Sequence, residues 1–177
     1  DLDRDVSDYL GWKLRNPHFP DAPITLRMMM NHTSSLRDDG GYYWAVPANI
    51  RDALEPGGKL YGKGAMWSNK AKPGAYFQYA NLPWGVIGTV MEKATGERFD
   101  KLMRKLVFDP LQVKGGFHPF DLPREDQLNL ATLYRKRSEI NGKEVWNSAG
   151  PWVPQVDDPE VPQQARAGAD YVIGSNG

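Results

Sequence analysis

The 177-residue chain predicts a mainly α fold with one small β-hairpin, and three observations carry that prediction. Apolar residues recur at helical spacing in two successive stretches between 82 and 108. A single Asn-Gly pair, Asn141-Gly142, sits between two runs that alternate with a period near two. The 18 glycines and 14 prolines exceed average usage, so the helices are short and tied by long loops.

The elements follow in order. Leu2, Val6, Tyr9 and Leu10 are spaced for a first helix over Asp1 to Leu10. Pro17, Pro20 and Pro23 then impose a loop. Thr25 is placed to cap a helix over 26–32, whose Met28, Met29 and Met30 read as core filler. Asp38-Asp-Gly-Gly41 breaks the chain. Between 42 and 80 the pattern is weak, with short helices expected over 48–55 and 59–68. Val86, Ile87, Val90, Met91 and Ala94 then mark one helix face, and Gly96 stands where a left-handed C-terminal cap belongs. Phe99, Leu102, Met103, Leu106 and Val107 mark a second helix, which Pro110 stops. Residues 131–140 and 143–147 form the two arms of the hairpin. Pro151, Pro154, Pro159 and Pro162 make 148–166 read as a loop. The domain reading is a helical lobe over 1–130, then the hairpin and proline-rich loop over 131–177. The apolar run from Tyr171, beside the last residue, wants a strand partner, so the chain is expected to be a piece of a longer protein.

Composition removes several function classes. Lys+Arg and Asp+Glu both number 22, so the formal charge is zero and no basic excess points to nucleic acid. No stretch approaches the roughly 18 apolar residues of a membrane span. There is no cysteine, which excludes disulfides, thiol catalysis and cysteine zinc sites. His18, His32 and His118 lack metal-ligand spacing, and Asp157, Asp158 and Glu160 lack the glycine and spacing of an EF-hand loop. No phosphate-binding glycine motif occurs. Gly-x-Ser-x-Gly, Ser-x-x-Lys and Lys-Thr-Gly are all absent. Neither a metal nor an organic cofactor is expected.

One stretch stands out: Pro73-Gly-Ala-Tyr-Phe-Gln-Tyr-Ala-Asn81, followed at once by the best helix. A Pro-Gly turn leading into a buried-type helix presents Tyr79 and Asn81 from a fixed loop. A phenol beside an amide offers a proton shuttle and a two-way hydrogen-bond partner. Tyr79 as a core tyrosine, and Asn81 as a plain helix cap, are the structural alternatives.

With those residues in place, the chain resembles the serine β-lactamase and penicillin-binding-protein-like hydrolases, specifically the class C β-lactamase group with its related esterases and peptidases. Leu2 to Leu10 is similar to a family segment. So are Pro23 through His32-Thr-Ser-Ser-Leu36, the Pro73-Gly74 to Tyr79-Ala80-Asn81 element, the helix from Trp84 to Gly96, and Phe108-Asp-Pro-Leu111. The similarity runs over about 1–118 and then fades. The family builds its site from Ser-x-x-Lys, Tyr-x-Asn and Lys-[Ser/Thr]-Gly, and only the second is here. The resemblance implies that Tyr79 is the general acid or base beside a nucleophilic serine, and that Asn81 holds the substrate amide and the catalytic lysine. It places the serine and its lysine before Asp1 and the third motif after Gly177. It makes the chain the helical lobe of the family's α/β fold, and Tyr79 and Asn81 the catalytic residues present. It also implies β-lactam, ester or D-amino-acid peptide substrates, no cofactor, and an extracytoplasmic or periplasmic location.

The physics agrees with that division. A free phenol has a pKa near 10, so it needs nearby lysine charge to act as a base at neutral pH. A reading of another class remains: a non-catalytic module that binds sugars or peptidoglycan through Trp44, Trp67, Trp146 and Trp152. Exposed aromatic platforms would favour it. Esterase or D-amino-acid peptidase activity is a third, within the family.

Overall fold

In the computed structural model, residues 1–42, 49–117, 122–141 and 143–155 are described. They divide into two compact units, Asp1–Met103 and the segment from Arg104 onward.

The first unit is built from short helices around one apolar core. The opening helix is shorter than its spacing predicts: α1 covers only Ser7–Leu10. The residues before it are engaged elsewhere. Asp5 bridges Thr25, the Val6 amide donates to the Ile24 carbonyl at 2.9 Å, and the Arg27 amide donates to the Leu2 carbonyl at 3.0 Å. Backbone groups committed to such a crossing cannot also close helical turns. Gly11, at φ 76°, ends α1.

Thr25 caps α2 (Leu26–Met30), its hydroxyl accepting from the Met28 amide at 3.2 Å. Of the methionine run, Met29 is fully buried, whereas Met30 lies exposed. The helix stops two residues short of its expected end, because His32 takes a left-handed φ of 59°. Asn49 caps α3 (Ile50–Leu54) by accepting from the Arg51 amide at 2.8 Å.

The helix expected over 59–68 does not form. Gly62 and Gly64 both adopt positive φ, tight turns link Gly58, Tyr61, Gly64 and Trp67, and Trp67 bridges Leu36. A right-handed helix cannot pass through two left-handed residues.

The longest helix is α4 (Leu82–Thr95), which buries Leu82, Val86 and Val90, while Ala94 of the expected face lies exposed. Gly96 ends it at φ 69° and donates to the Glu92 carbonyl at 2.8 Å. The buried Glu92 carboxylate accepts from the Phe99 amide at 2.8 Å and so joins the end of α4 to α5 (Phe99–Met103).

Val6, Leu10, Leu14, Ile24, Met29, Leu36, Ile50, Leu54, Met66 and Trp67 complete the core with α4. Each fully buried aliphatic chain contributes roughly 1.5–3 kcal/mol. Buried polar groups are paired within it. Asn16 donates to the Ser35 hydroxyl at 3.0 Å and the Ser68 carbonyl at 2.8 Å, and the Trp67 indole donates to the Leu54 carbonyl at 3.2 Å. Arg15 holds Asp5 through both terminal nitrogens, while its buried Nε has no partner among the described residues.

The second unit opens with a π-helical turn, Arg104–Phe108, in place of the continued α-helix. Leu106, expected on the apolar face, is exposed there. A short helix α6 (Arg124–Gln127) precedes the sheet. The hairpin forms as predicted, with β1 (Leu133–Ile140) antiparallel to β2 (Lys143–Trp146) and Asn141 at φ 54° in the turn. The stretch read as loop carries a third strand, β3 (Trp152–Gln155), antiparallel to β1 in the order β2-β1-β3. Pro154 is tolerated because β3 is at the edge of the sheet among the described residues, where a missing amide donor breaks no inner ladder.

Two outcomes follow from these contacts. Burial raises the Asp5 carboxyl, but the Arg15 and Ser7 hydrogen bonds outweigh it and hold Asp5 below its ordinary value of 3.8. A depressed folded value stabilises the fold above pH 3.8 and loses that contribution as pH falls through the folded value. Asp5→Asn is therefore expected to cost roughly 2 kcal/mol at neutral pH and to flatten the acid limb of a denaturation-versus-pH curve. Gly96→Ala meets no atom within 4 Å, so its cost is backbone strain alone, about 1 kcal/mol by urea denaturation.

Candidate active site

The site is a loop held against a turn. Residues 74–80 run beside 32–33. The Gly74 amide donates to the Thr33 carbonyl at 2.8 Å, and the Gln78 amide donates to the His32 carbonyl at 2.8 Å. Gly74, at φ 85°, lets the chain leave the proline and enter this pairing. His32 is the pivot. Its left-handed backbone places the imidazole 4.7 Å from the Tyr79 ring centre, with Phe77 and Trp84 edge-on at 5.8 and 6.2 Å. The Ala80 amide points to its Nδ1 at a long 3.5 Å. His32 is thus a structural histidine that shapes the loop. Among the described residues no group of three metal-ligating side chains is assembled. His118, Asp157, Asp158, Glu160 and Trp44 lie outside the described residues.

Tyr79 and Asn81 are brought together. The Tyr79 hydroxyl donates to Asn81 Oδ1 at 3.2 Å, and the ring is 59% exposed. Tyr79 is therefore not a core tyrosine. Asn81 is not the plain cap of α4 either, since its side chain makes no capping bond. That function falls to Asp38, 43 residues earlier. Its carboxylate accepts from the Asn81 amide at 2.8 and 2.9 Å, from the Leu82 amide at 3.0 Å and from Asn81 Nδ2 at 2.8 Å. A negative group on the first amides of a 14-residue helix satisfies donors that have no intrahelical partner. Sequence reasoning missed Asp38, treating Asp38-Asp-Gly-Gly41 only as a break. Its partner is remote in the chain, and no local spacing announces it.

Beside the loop lies a cavity of about 430 Å³ lined by Ser35, Arg37, Ser68, Lys70, Tyr76 and Gln78. Its lining is rich in donors. Ser35 Oγ accepts from Asn16, and Ser68 Oγ accepts from the Lys70 and Ala71 amides, so among the described residues each hydroxyl proton remains available to donate. The size suits part of a small organic molecule.

No helix among the described residues is long and apolar enough to cross a membrane.

A family model described as Beta-lactamase matches residues 1–175, well past the point near 118 where resemblance by motif fades. Among solved structures, the hydrolase EstCE1, described as having promiscuous acyltransferase activity, aligns with a TM-score of 0.57 at 22% identity, over 99% of this chain and 51% of its own. A class C beta-lactamase aligns with a TM-score of 0.55 at 16% identity, over 98% of this chain and 39% of its own. A D-stereospecific amidohydrolase from Streptomyces sp. gives 0.50 at 19% identity, over 99% and 48%. At these identities the likeness is one of fold. The chain spans between about two fifths and one half of the length of these proteins.

Proposed function

From the premise that the chain belongs to the Beta-lactamase family, we propose that it is the helical part of a serine hydrolase working by acyl transfer, with Tyr79 and Asn81 in its active site. The observation that carries this reading is the pair itself. A largely exposed phenol donates to a clamped amide, on a loop whose backbone is bonded to a second segment. A catalytic group needs such fixed presentation, because misplacement by about 1 Å can cost on the order of 10²-fold.

In the proposed reaction a serine hydroxyl attacks the substrate carbonyl. The new ester C–O bond forms as Tyr79, in its phenolate form, takes the serine proton, which then passes to the leaving group as its bond to carbon breaks. Water attacks the acyl-enzyme in the reverse sense and restores the serine. Asn81 orients the substrate amide. The serine and its lysine are assigned to polypeptide outside these 177 residues, which contain no Ser-x-x-Lys. The substrate is a β-lactam, an ester or a D-amino-acid amide. A β-lactamase, an acyltransferase-competent hydrolase and a D-stereospecific amidohydrolase all share the fold. We also propose an extracytoplasmic location, to be checked by fractionating cells that express the longer protein.

The sugar-binding alternative finds no shared platform in Trp67, Trp146 and Trp152. Trp67 is buried. Trp146 and Trp152 are exposed, but Trp146 pairs with Arg137 and Trp152 with Lys136. Arg137 and Lys136 are adjacent on β1, so the two indoles stand on opposite faces of the sheet.

Two measurements test the proposal. The 177-residue chain alone is expected to turn over neither a chromogenic cephalosporin nor a p-nitrophenyl ester; hydrolysis above background would refute the assignment of the nucleophile. In the longer protein, Tyr79→Phe should lower kcat roughly 10²- to 10⁴-fold. Unchanged turnover would remove Tyr79 from the mechanism.

A further inference from the structure

The carboxylate of Asp38 does more than cap a helix. A carboxylate can only accept hydrogen bonds, so the Asn81 amide beside it must turn its NH2 toward Asp38. Asn81 Nδ2 lies 2.8 Å from Asp38 Oδ2. The opposite end of the same planar amide, Oδ1, is thereby aimed elsewhere, and what it meets is the Tyr79 hydroxyl at 3.2 Å. We infer that Asp38 is a positioning residue that fixes which way round the Asn81 amide sits, and through it which partner receives the Tyr79 hydroxyl proton.

The arrangement follows from donor and acceptor counting. With Asp38 present, Asn81 offers Tyr79 an acceptor, which favours the neutral phenol over the phenolate that has to take the serine proton. With the amide reversed, Asn81 would offer Tyr79 an N–H. That N–H would stabilise the phenolate and so favour the basic form of Tyr79. The carboxylate also holds the Asn81 and Leu82 backbone amides, so the amide side chain and the start of α4 are set by the same two oxygens. Asp38 is half-buried and reaches these groups from a segment whose next-door residue, Arg37, is tied to Asp39. That leaves the Asp38 carboxylate to the loop. The catalytic consequence rests on the function proposed above; the orientation does not.

The test separates the two. In the 177-residue chain, labelled with 15N and 13C, a scalar coupling across the hydrogen bond from Asn81 Nδ2 to the Asp38 side-chain carbon is expected; its absence in the unaltered chain overturns the inference without any variant. In Asp38→Asn, the new side-chain NH2 should reverse Asn81, replacing that coupling by one from the residue-38 amide nitrogen to the Asn81 side-chain carbon. A folded variant with Asn81 unreversed overturns the inference. In the longer protein, Asp38→Asn should move the acid limb of the kcat–pH profile to lower pH, and should leave that limb in place once Asn81 is already Ala. A shift of the same size with Asn81 as Ala would show that Asp38 acts independently of Asn81 and overturn the inference. If Tyr79→Phe leaves turnover intact while the coupling is present, the catalytic reading fails and the orientation stands.

Discussion

Everything in the candidate site depends on one set of hydrogen bonds, those that tie the loop at 74–82 to the segment at 32–38. A loop with this much exposed aromatic surface has little burial to hold it. Tyr76, Phe77 and Tyr79 all lie largely in solvent. Its backbone is fixed by donation instead, from Gly74 to Thr33, from Gln78 to His32, and from Asn81 and Leu82 to Asp38. Bonds to a charged acceptor are the stronger kind, and the Asp38 end is the one that holds Asn81. His32 adds a ring contact on Tyr79, at the cost of a left-handed backbone that a non-glycine residue adopts only when its surroundings require it.

That segment is in turn fixed by the core. Leu36 is buried and bridges Trp67, whose indole donates to the Leu54 carbonyl. Asn16 joins Ser35 to Ser68 inside the same region. The apolar residues drive the collapse, while the buried polar groups determine which loop lies against which. The site is therefore a surface feature whose geometry is set a layer below, where Val86 and Val90 of α4 meet the first helices.

The parts of the fold legible in the chain were those whose cause is local. Thr25 and Gly96 announced the start of α2 and the end of α4, and Asn141-Gly142 announced the hairpin, because caps and tight turns are decided within four or five residues. Three features were not legible. The first helix was drawn too long because Asp5 and Val6 bond to residues near 24, a commitment invisible in their own spacing. A helix was placed over 59–68 where two positive-φ glycines forbid one. The strand at 152–155 was hidden by Pro154, which reads as a breaker until the strand is known to be at an edge.

That Tyr79 and Asn81 meet was legible, since they stand two apart in one motif that leads into the strongest helix. The family was legible from that motif together with the other matching segments. Asp38 was not found, because a hydrogen bond between residues 43 apart has no period and no motif. The sequence by itself thus determined which groups are available for chemistry, through their side chains and their local turns. Only the tertiary structure decided how they face one another: a carboxylate brought in from a distant turn accepts from one end of the Asn81 amide and leaves the other end for Tyr79.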